Sequence, residues 1–581
     1  MYLRETKRRN ADGSVVRYYQ LAENVWDRDK GCAVAHVIHN FGRADQVDGE
    51  KLRRLARSIL RVFGSETDGA REPAEPIALR DSWPYGGIYV LEQLWRELGI
   101  GELLSSLMED RRTEQPFERA LFAMVANRAL CPYSKLYCFE QWIRAEVFLP
   151  SARPLDLHHL YLGMDFLERN KSKVEESIYF RMADLLNADV DLIFYDTTSL
   201  HFEVDEEDEA TLHKEGREYV PLRKRGHSKN GRGDAPQIVV GLAVTRDGLP
   251  VRSWIFSGET NDVTTVEQVK KDLRGWRLGR CIFVGDAGMN SEDNRRTLSL
   301  GNGKYILGAR MRAGDEVSKE VLTRAGRYKT VADNLRVKEV VVGDGERRRR
   351  YVVAHNPEEV KRQRAHRERL LVELEAELAT MKPRADGKHT KRACELLTSA
   401  RFGRFLRQTS TGKLCIDRAA VTEAARYDGK WVVTSNDDTL SAEDLALGYK
   451  QLLRVERCWR QLKSGLQMRP VHHRRPWRIH AHVSIAVLAL LLERIVEIRT
   501  GDTWRNVCAR LEAIKVVEYD REGQRIVQTT EIGKDALALL KQLGVAVPPK
   551  IHSIQPVPAP ATDGQDPPGD DDLDPADTAI A

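Results

Sequence analysis

The sequence predicts an α/β protein with a mixed-sheet core. A mixed α/β insertion interrupts that core, and a β-rich N-terminal unit and a helical region precede it. Three observations carry the expectation. Apolar, β-branched runs alternate with helical stretches between residues 189 and 312, as in a sheet with crossing helices. The 581 residues exceed the usual ~100–200 of one domain and suggest about three to five units. A hydrophobic share of 41% beside 31% charged residues sets aside wholesale disorder and fibrous folds.

The elements follow in order. Residues 1–65 read as a β-rich unit, with Val16–Leu21 and Ala33–Ile38 flanking a polar turn near Arg28–Gly31. Residues 66–188 form a helical region that follows a Gly/Pro/Glu linker at Gly64–Pro76. Its amphipathic stretches are Tyr89–Leu98, Pro116–Ala129 and Lys173–Leu186. The first part of the core spans 189–312. There Val190–Thr197 reads as a buried strand, and Gln237–Thr245 and Leu249–Ser257 form a hairpin across Arg246-Asp247-Gly248. Arg280–Gly285, a helix from Ser291, and Lys304–Arg310 complete it. A three-strand meander followed by strand–helix–strand is the order of a ribonuclease-H-like core.

Residues 313–440 read as the insertion, with strands in Asp315–Val353, a charged helix at Pro357–Met381 and a short strand at Trp431–Thr434. Residues 441–515 resume the core. One long helix opens at Ser441, with Asp444 as an acidic variant of the capping box, and another runs from about Arg478 to Thr500. Residues 516–547 are a C-terminal region. Residues 548–581 are Pro- and Asp-rich and are expected to be disordered.

Charge narrows the function. The chain carries +5 overall, but residues 551–581 hold seven Asp and no Lys, Arg or Glu, so residues 1–550 carry +12. A basic body suits a polyanion partner. Eight scattered Cys without paired spacing indicate a reduced, cytosolic chain rather than disulfides or a zinc site. The longest apolar stretch, Ile485–Leu492, falls short of the ~20 residues that span a bilayer. The N-terminus has no apolar signal-peptide core, so membrane and exported proteins are disfavoured.

Three carboxylates occupy informative places. Asp196 ends the first core strand in Phe194-Tyr195-Asp196-Thr197-Thr198, Asp286 follows the fourth strand, and Glu456 lies in the helix opened at Ser441. An ionised Asp at the end of an apolar strand is costly unless its charge is compensated. Mg²⁺ takes hard oxygen ligands and keeps waters or substrate phosphate, so two or three carboxylates suffice. Two such ions ~3.5–4 Å apart serve phosphoryl transfer. Tyr449, Glu456 and Lys463 recur every seven residues and would share one face of a continuous helix. Lys463 is then placed for a phosphate, and Tyr449 for a hydrogen bond or a stacked base.

The string from Tyr449 to Lys463 resembles the signature Y-x2-R-x3-E-x6-K of DDE insertion-sequence transposases, with Leu452 at the Arg position. FYDTTS around Asp196, Gly285-Asp286-Ala287-Gly288-Met289 with Ser291 and Asn294, and Gly226-His227-Ser228-Lys229 through Gln237 are similar to further family motifs. The long interval between Asp286 and Glu456 matches the cut-and-paste branch that carries an insertion before the Glu.

The resemblance implies a transposase. It would bind the terminal inverted repeats of an insertion sequence, cleave through hairpin ends, and join those ends to target DNA. Asp196, Asp286 and Glu456 would hold two Mg²⁺, with Mn²⁺ as a substitute. Arg454 or Arg460 would replace the missing signature Arg, and Trp431 would stabilise a flipped base, although a Trp opening an apolar strand also suits a core. Lys229, Arg474 and Arg475 read as phosphate contacts. The last two lie in a basic cluster with His472, His473, His480 and His482. A homodimer on double-stranded DNA, bacterial-type and nucleoid-associated, is expected, with residues 1–65 as a DNA-end reader. The rivals are a structure-selective nuclease on the same core and an inactive, domesticated DNA-binding protein.

Overall fold

In the computed structural model, strands with alternating apolar residues assemble where the sequence places them, with three notable departures. The structure describes residues 2–9, 15–27, 32–44, 47, 54, 77–108, 116–185, 191–229, 231–276, 281–312, 316–381, 391–410 and 412–557. The chain divides into two units, Met1–Pro76 and Ile77–Ala581.

The first unit is an antiparallel sheet of β1 (Tyr2–Arg9), β2 (Val15–Asp27) and β3 (Cys32–Arg43), in that order. β2 and β3 contain the two expected strands, and β1 is additional, its Arg, Lys and Glu masking the alternation. The turn at Arg28–Gly31 and the linker at Gly64–Pro76 lie outside the described residues.

The second unit begins with β4 (Ala78–Pro84), then helices α1 (Gly86–Glu97), α2 (Phe117–Leu130) and α3 (Leu157–Leu185). Next come β5 (Leu192–His201), β6 (Gln237–Val244), β7 (Pro250–Ser257), α4 (Asp262–Gly275), β8 (Ile282–Gly285) and β9 (Lys304–Ala309). β10 (Lys329–Ala332), β11 (Leu335–Val342), β12 (Arg349–His355), α5 (Pro357–Thr380) and β13 (Lys430–Ser435) follow. The chain continues through α6 (Ala442–Lys450), α7 (Leu453–Arg460), α8 (Pro476–Thr500), β14 (Lys515–Arg521), β15 (Gln524–Thr529) and β16 (Ile551–Pro556).

Nine strands form one sheet in the order β10-β11-β12-β13-β9-β8-β5-β6-β7. β5, β6 and β7 are an antiparallel meander, while β8 lies parallel to both β5 and β9. The first departure concerns the insertion. Its strands do not stand apart, because β13 pairs antiparallel with β9 from Ile306↔Ser435 to Ala309↔Val432 and carries β12, β11 and β10 into the same sheet. Apolar faces on both sides of β12 and β13 make that continuity favourable.

The second departure is in the helix expected from Ser441. Its capping box forms, with Asp444 N–H donating to Ser441 Oγ, but the helix stops at Lys450. Bonds of the i to i+3 type, Leu452 N to Tyr449 O and Arg454 N to Gln451 O, turn the chain before α7 begins. The third departure is in the segment 548–581. Ile551–Pro556 is a strand that pairs with β15, in a four-stranded sheet ordered β16-β15-β14-β4. Alternating Ile551 and Ser553 with Ile554 and Pro556 hide that strand among prolines. The chain from residue 558 onward lies outside the described residues.

Helix α8 packs against α2, α3 and β7 and anchors the core. It is long and apolar enough to cross a membrane, yet 89% of its most apolar window is buried inside the protein. It is therefore a core helix.

Candidate active site

The register of two parallel strands brings the first two carboxylates level. Val284 of β8 pairs with Phe194 of β5, and each strand's acid lies two residues farther on: Asp286 and Asp196. Asp196 does not end its strand as expected. β5 continues to His201, and Asp196 pairs with Leu242 on the β6 side. The partner on its other side, β8, stops at Gly285, so the sheet opens beside Asp196. The flanking residues Tyr195 and Thr197 are buried, and Tyr195 donates to Thr265 Oγ1 at 3.0 Å.

Asp286 sits in a turn whose Gly288 N–H donates to its Oδ1 at 2.8 Å. Burial pushes the Asp196 carboxyl up to about 6; the Lys229 ammonium and the Thr197 N–H pull it down, while Asp286 and Asp262 push it further up. A buried carboxylate with acidic neighbours is a site that attracts cations.

Glu456 is an exposed residue of α7, the helix that packs on β5 and β6. Tyr449 lies within electrostatic reach of Asp286, Glu456 and Asp196. Burial first, then the charges of Asp286, Glu456 and Asp196, push its hydroxyl up to about 12. That hydroxyl lies within collision distance of where a Cβ on Gly308 would stand, so the glycine leaves it room. Lys463 completes the set: burial, Arg469 and Lys229 push its ammonium down to about 8, with Asp196 opposing. Tyr449 thus feels Asp286, Glu456 and Asp196, and Lys463 feels Asp196, across a helix that is broken between them. Gln461–Gly465 is a π turn, closed by Leu466 N to Gln461 O at 2.9 Å.

Leu452, at the signature Arg position, is buried in the core at 8% exposure. Of the proposed substitutes, Arg454 is half-buried and Arg460 exposed. Trp431 lies at the start of β13, an interior strand, one residue before the partner of Ala309. Its ring packs partly buried against the core, and its indole N–H has no partner among the described residues.

The basic cluster after α7 divides by burial. His482 is buried with its Nε2 2.9 Å from Met468 O, and desolvation holds it well below the usual histidine range. Burial likewise pushes His473 down to about 3 and His480 down to about 4. Of these rings His482 is buried, and His473 and His480 are partly so. Arg474 and Arg475 remain exposed, the latter over Trp477. Arg348, Arg349 and Arg350, at the start of β12, pair with Asp438, with Glu316 and Glu292, and with Glu339.

Asp262, at the first turn of α4, escaped the sequence reading. It pairs with Lys229 Nζ at 2.8 Å and accepts from the Thr197 hydroxyl. Its position in a polar Gly-Glu-Thr-Asn-Asp turn gave no signal beyond helix capping.

The donors are all hard carboxylate oxygens, the chemistry that suits a divalent cation of the Mg²⁺ type. Among the described residues they are not drawn into a closed group of three or more ligands.

Two family models match. Residues 202–492 match the transposase DDE domain, and residues 3–71 match the N-terminal domain of IS1634 family transposases. Asp286 and Glu456 fall inside the first match; Asp196 lies six residues before it. No curated protein matches the chain. Among solved structures, a piggyBac transposase synaptic complex with hairpin DNA is similar at 10% identity and a TM-score of 0.34, over 74% of this chain and 78% of that one. That likeness is too slight to carry a mechanism across. The family models are decisive, and the chain belongs to the DDE transposases of insertion sequences, enzymes that cleave DNA.

Proposed function

We propose that this transposase binds the terminal inverted repeats of its element, cleaves them by two-metal phosphoryl transfer through hairpin ends, and joins the ends to target DNA. One observation carries the reading: Asp196 and Asp286 lie level on adjacent parallel strands, with Tyr449 within electrostatic reach of both and of Glu456. The strand order, a meander followed by two parallel strands, supports a ribonuclease-H-like core.

Asp196, Asp286 and Glu456 would hold the ions, Mg²⁺ by preference and Mn²⁺ as a substitute. The chemistry supplied there is activation of an attacking oxygen and stabilisation of a leaving one. The chain's own residues do the rest. Lys463 binds a phosphate beside Asp196, and Tyr449 holds the DNA by a hydrogen bond or by stacking on a base. Arg474, Arg475, Arg454 and Arg460 contact the DNA backbone. Trp431, at the start of β13, stacks on a base extruded at the hairpin, an interaction of ~1–3 kcal/mol. Paired ends call for a homodimer on DNA. Residues 1–65 read the repeats, in a cytoplasmic, nucleoid-associated setting.

The test is cleavage of a plasmid bearing the gene's native flanks, with Mg²⁺ or Ca²⁺. Breaks at discrete ends, with hairpin termini that migrate at twice the single-strand length under denaturing conditions, are expected in Mg²⁺ alone. Nicks at branched DNA without end specificity would favour the nuclease instead.

A further inference from the structure

Of the cations in the segment before β6, all but one are matched to acids away from the site. Arg223 pairs with Asp208, Lys224 and Arg225 with Glu207, and Arg232 with Asp234 and Glu203. Lys229 alone turns inward. Its Nζ donates to Thr197 O at 2.9 Å and Thr197 Oγ1 at 2.7 Å, lies 2.8 Å from Asp262 Oδ2, and is 4.0 Å from Asp196 Oδ1. The other oxygen of Asp262 accepts from the Thr197 hydroxyl. One Asp262 oxygen thus faces the Lys229 ammonium and the other holds the Thr197 hydroxyl to which that ammonium donates, which makes Asp262 an anchor and not a ligand.

We infer that Lys229, anchored by Asp262, is an internal counter-ion of Asp196 that a divalent cation displaces, freeing its ammonium for a DNA phosphate. The inference rests on the reading above that Asp196 binds metal. A monovalent ammonium about 4 Å from Asp196 and a divalent ion on the same carboxylate repel strongly in a half-buried site, so the two exclude each other. The backbone favours a side-chain swing. Gly226 is wedged against the Gly258 carbonyl, which fixes the segment, while the flexible four-carbon stem of Lys229 is free to redirect its charge. Metal loading and DNA grip are thereby coupled: the same event that fills the site supplies a new phosphate contact. Asp262 is the positioning residue of this exchange.

The experiment titrates Mn²⁺ into the full chain without DNA, following free Mn²⁺ by electron paramagnetic resonance, for wild type, Lys229→Gln and Asp196→Asn. Removing the competing cation is expected to tighten Mn²⁺ binding at least about tenfold, and Asp196→Asn to abolish it. A second measurement needs no variant. Acetylation of Lys229 in the wild-type protein, read by mass spectrometry, is expected to rise several-fold when Mn²⁺ is added. Asp196-dependent binding that Lys229→Gln leaves within twofold, or Lys229 acetylation unchanged by Mn²⁺, would overturn the inference and leave the metal reading intact. Absence of Asp196-dependent Mn²⁺ binding in both wild type and Lys229→Gln would overturn both.

Discussion

The hydroxyl of Tyr449 rests against Gly308 at a point where any side chain on residue 308 would collide with it. Gly308 lies in β9, beside the strand that delivers Asp286, so the contact sets the height of Tyr449 above the acidic edge. Gly308→Ala is expected to displace the ring and cost about 1–3 kcal/mol of stability, as overpacking does. Cleavage should fall with it. Urea unfolding beside a cleavage assay reads both effects, and a variant with the wild-type midpoint and rate would show that the contact has no positioning role.

Leu452 makes the opposite case, because restoring the family's residue should do harm. At 8% exposure there is no room for a solvated guanidinium. Leu452→Arg is expected to destabilise the protein by roughly 3 kcal/mol or more, the cost of an unpaired buried charge. Thermal unfolding measures it, and a stable, more active variant would mean that this position faces DNA.

Acid should destabilise the protein through its buried histidines. The folded pKa of His482 is depressed, so the native state binds fewer protons than the unfolded chain once the pH falls below about 6.5. Stability is therefore full above that value and is lost on acidification, by about 1.4 kcal/mol per pH unit for each such ring. His482→Gln, which stays neutral, is expected to remove about that share of the difference between pH 7.5 and pH 5.5. Melting curves at the two values decide it, and an unchanged difference would place the acid sensitivity elsewhere.

Arg474 and Arg475 are exposed and make no ion pair among the described residues, so they serve a test of DNA contact that leaves the fold alone. Replacing both with Ala should leave the melting temperature unchanged. If each neutralises one phosphate, the slope of log affinity against log salt should fall by about 1.8. An unchanged slope would remove them from the DNA surface.

What the sequence made legible follows physical lines. β5, β6, β8 and β9 were readable because buried strands need continuous β-branched or aromatic runs, and Asp196 and Asp286 stood out as charges interrupting them. β16 was not, because its pairing partner β15 is what stabilises it and its own prolines speak for a loop. The break after Lys450 has no Pro to mark it, and Gly448 just before it is buried within the helix. The break is set by Leu452 and Leu445 turning into the core, a tertiary demand that local spacing does not encode. Asp262 was hidden for a related reason. It is brought to Thr197 and Lys229 only when β5 and the start of α4 are packed side by side.

The central claim is that Asp196, Asp286 and Glu456 act as one catalytic unit. The most direct measurement compares wild type with Asp196→Asn, Asp286→Asn and Glu456→Gln, each assayed for Mg²⁺-dependent cleavage of the flanked plasmid and for binding to the same ends. The account predicts that every single variant binds the ends yet cleaves at less than roughly one thousandth of the wild-type rate. Any one of the three cleaving at the wild-type rate would contradict it.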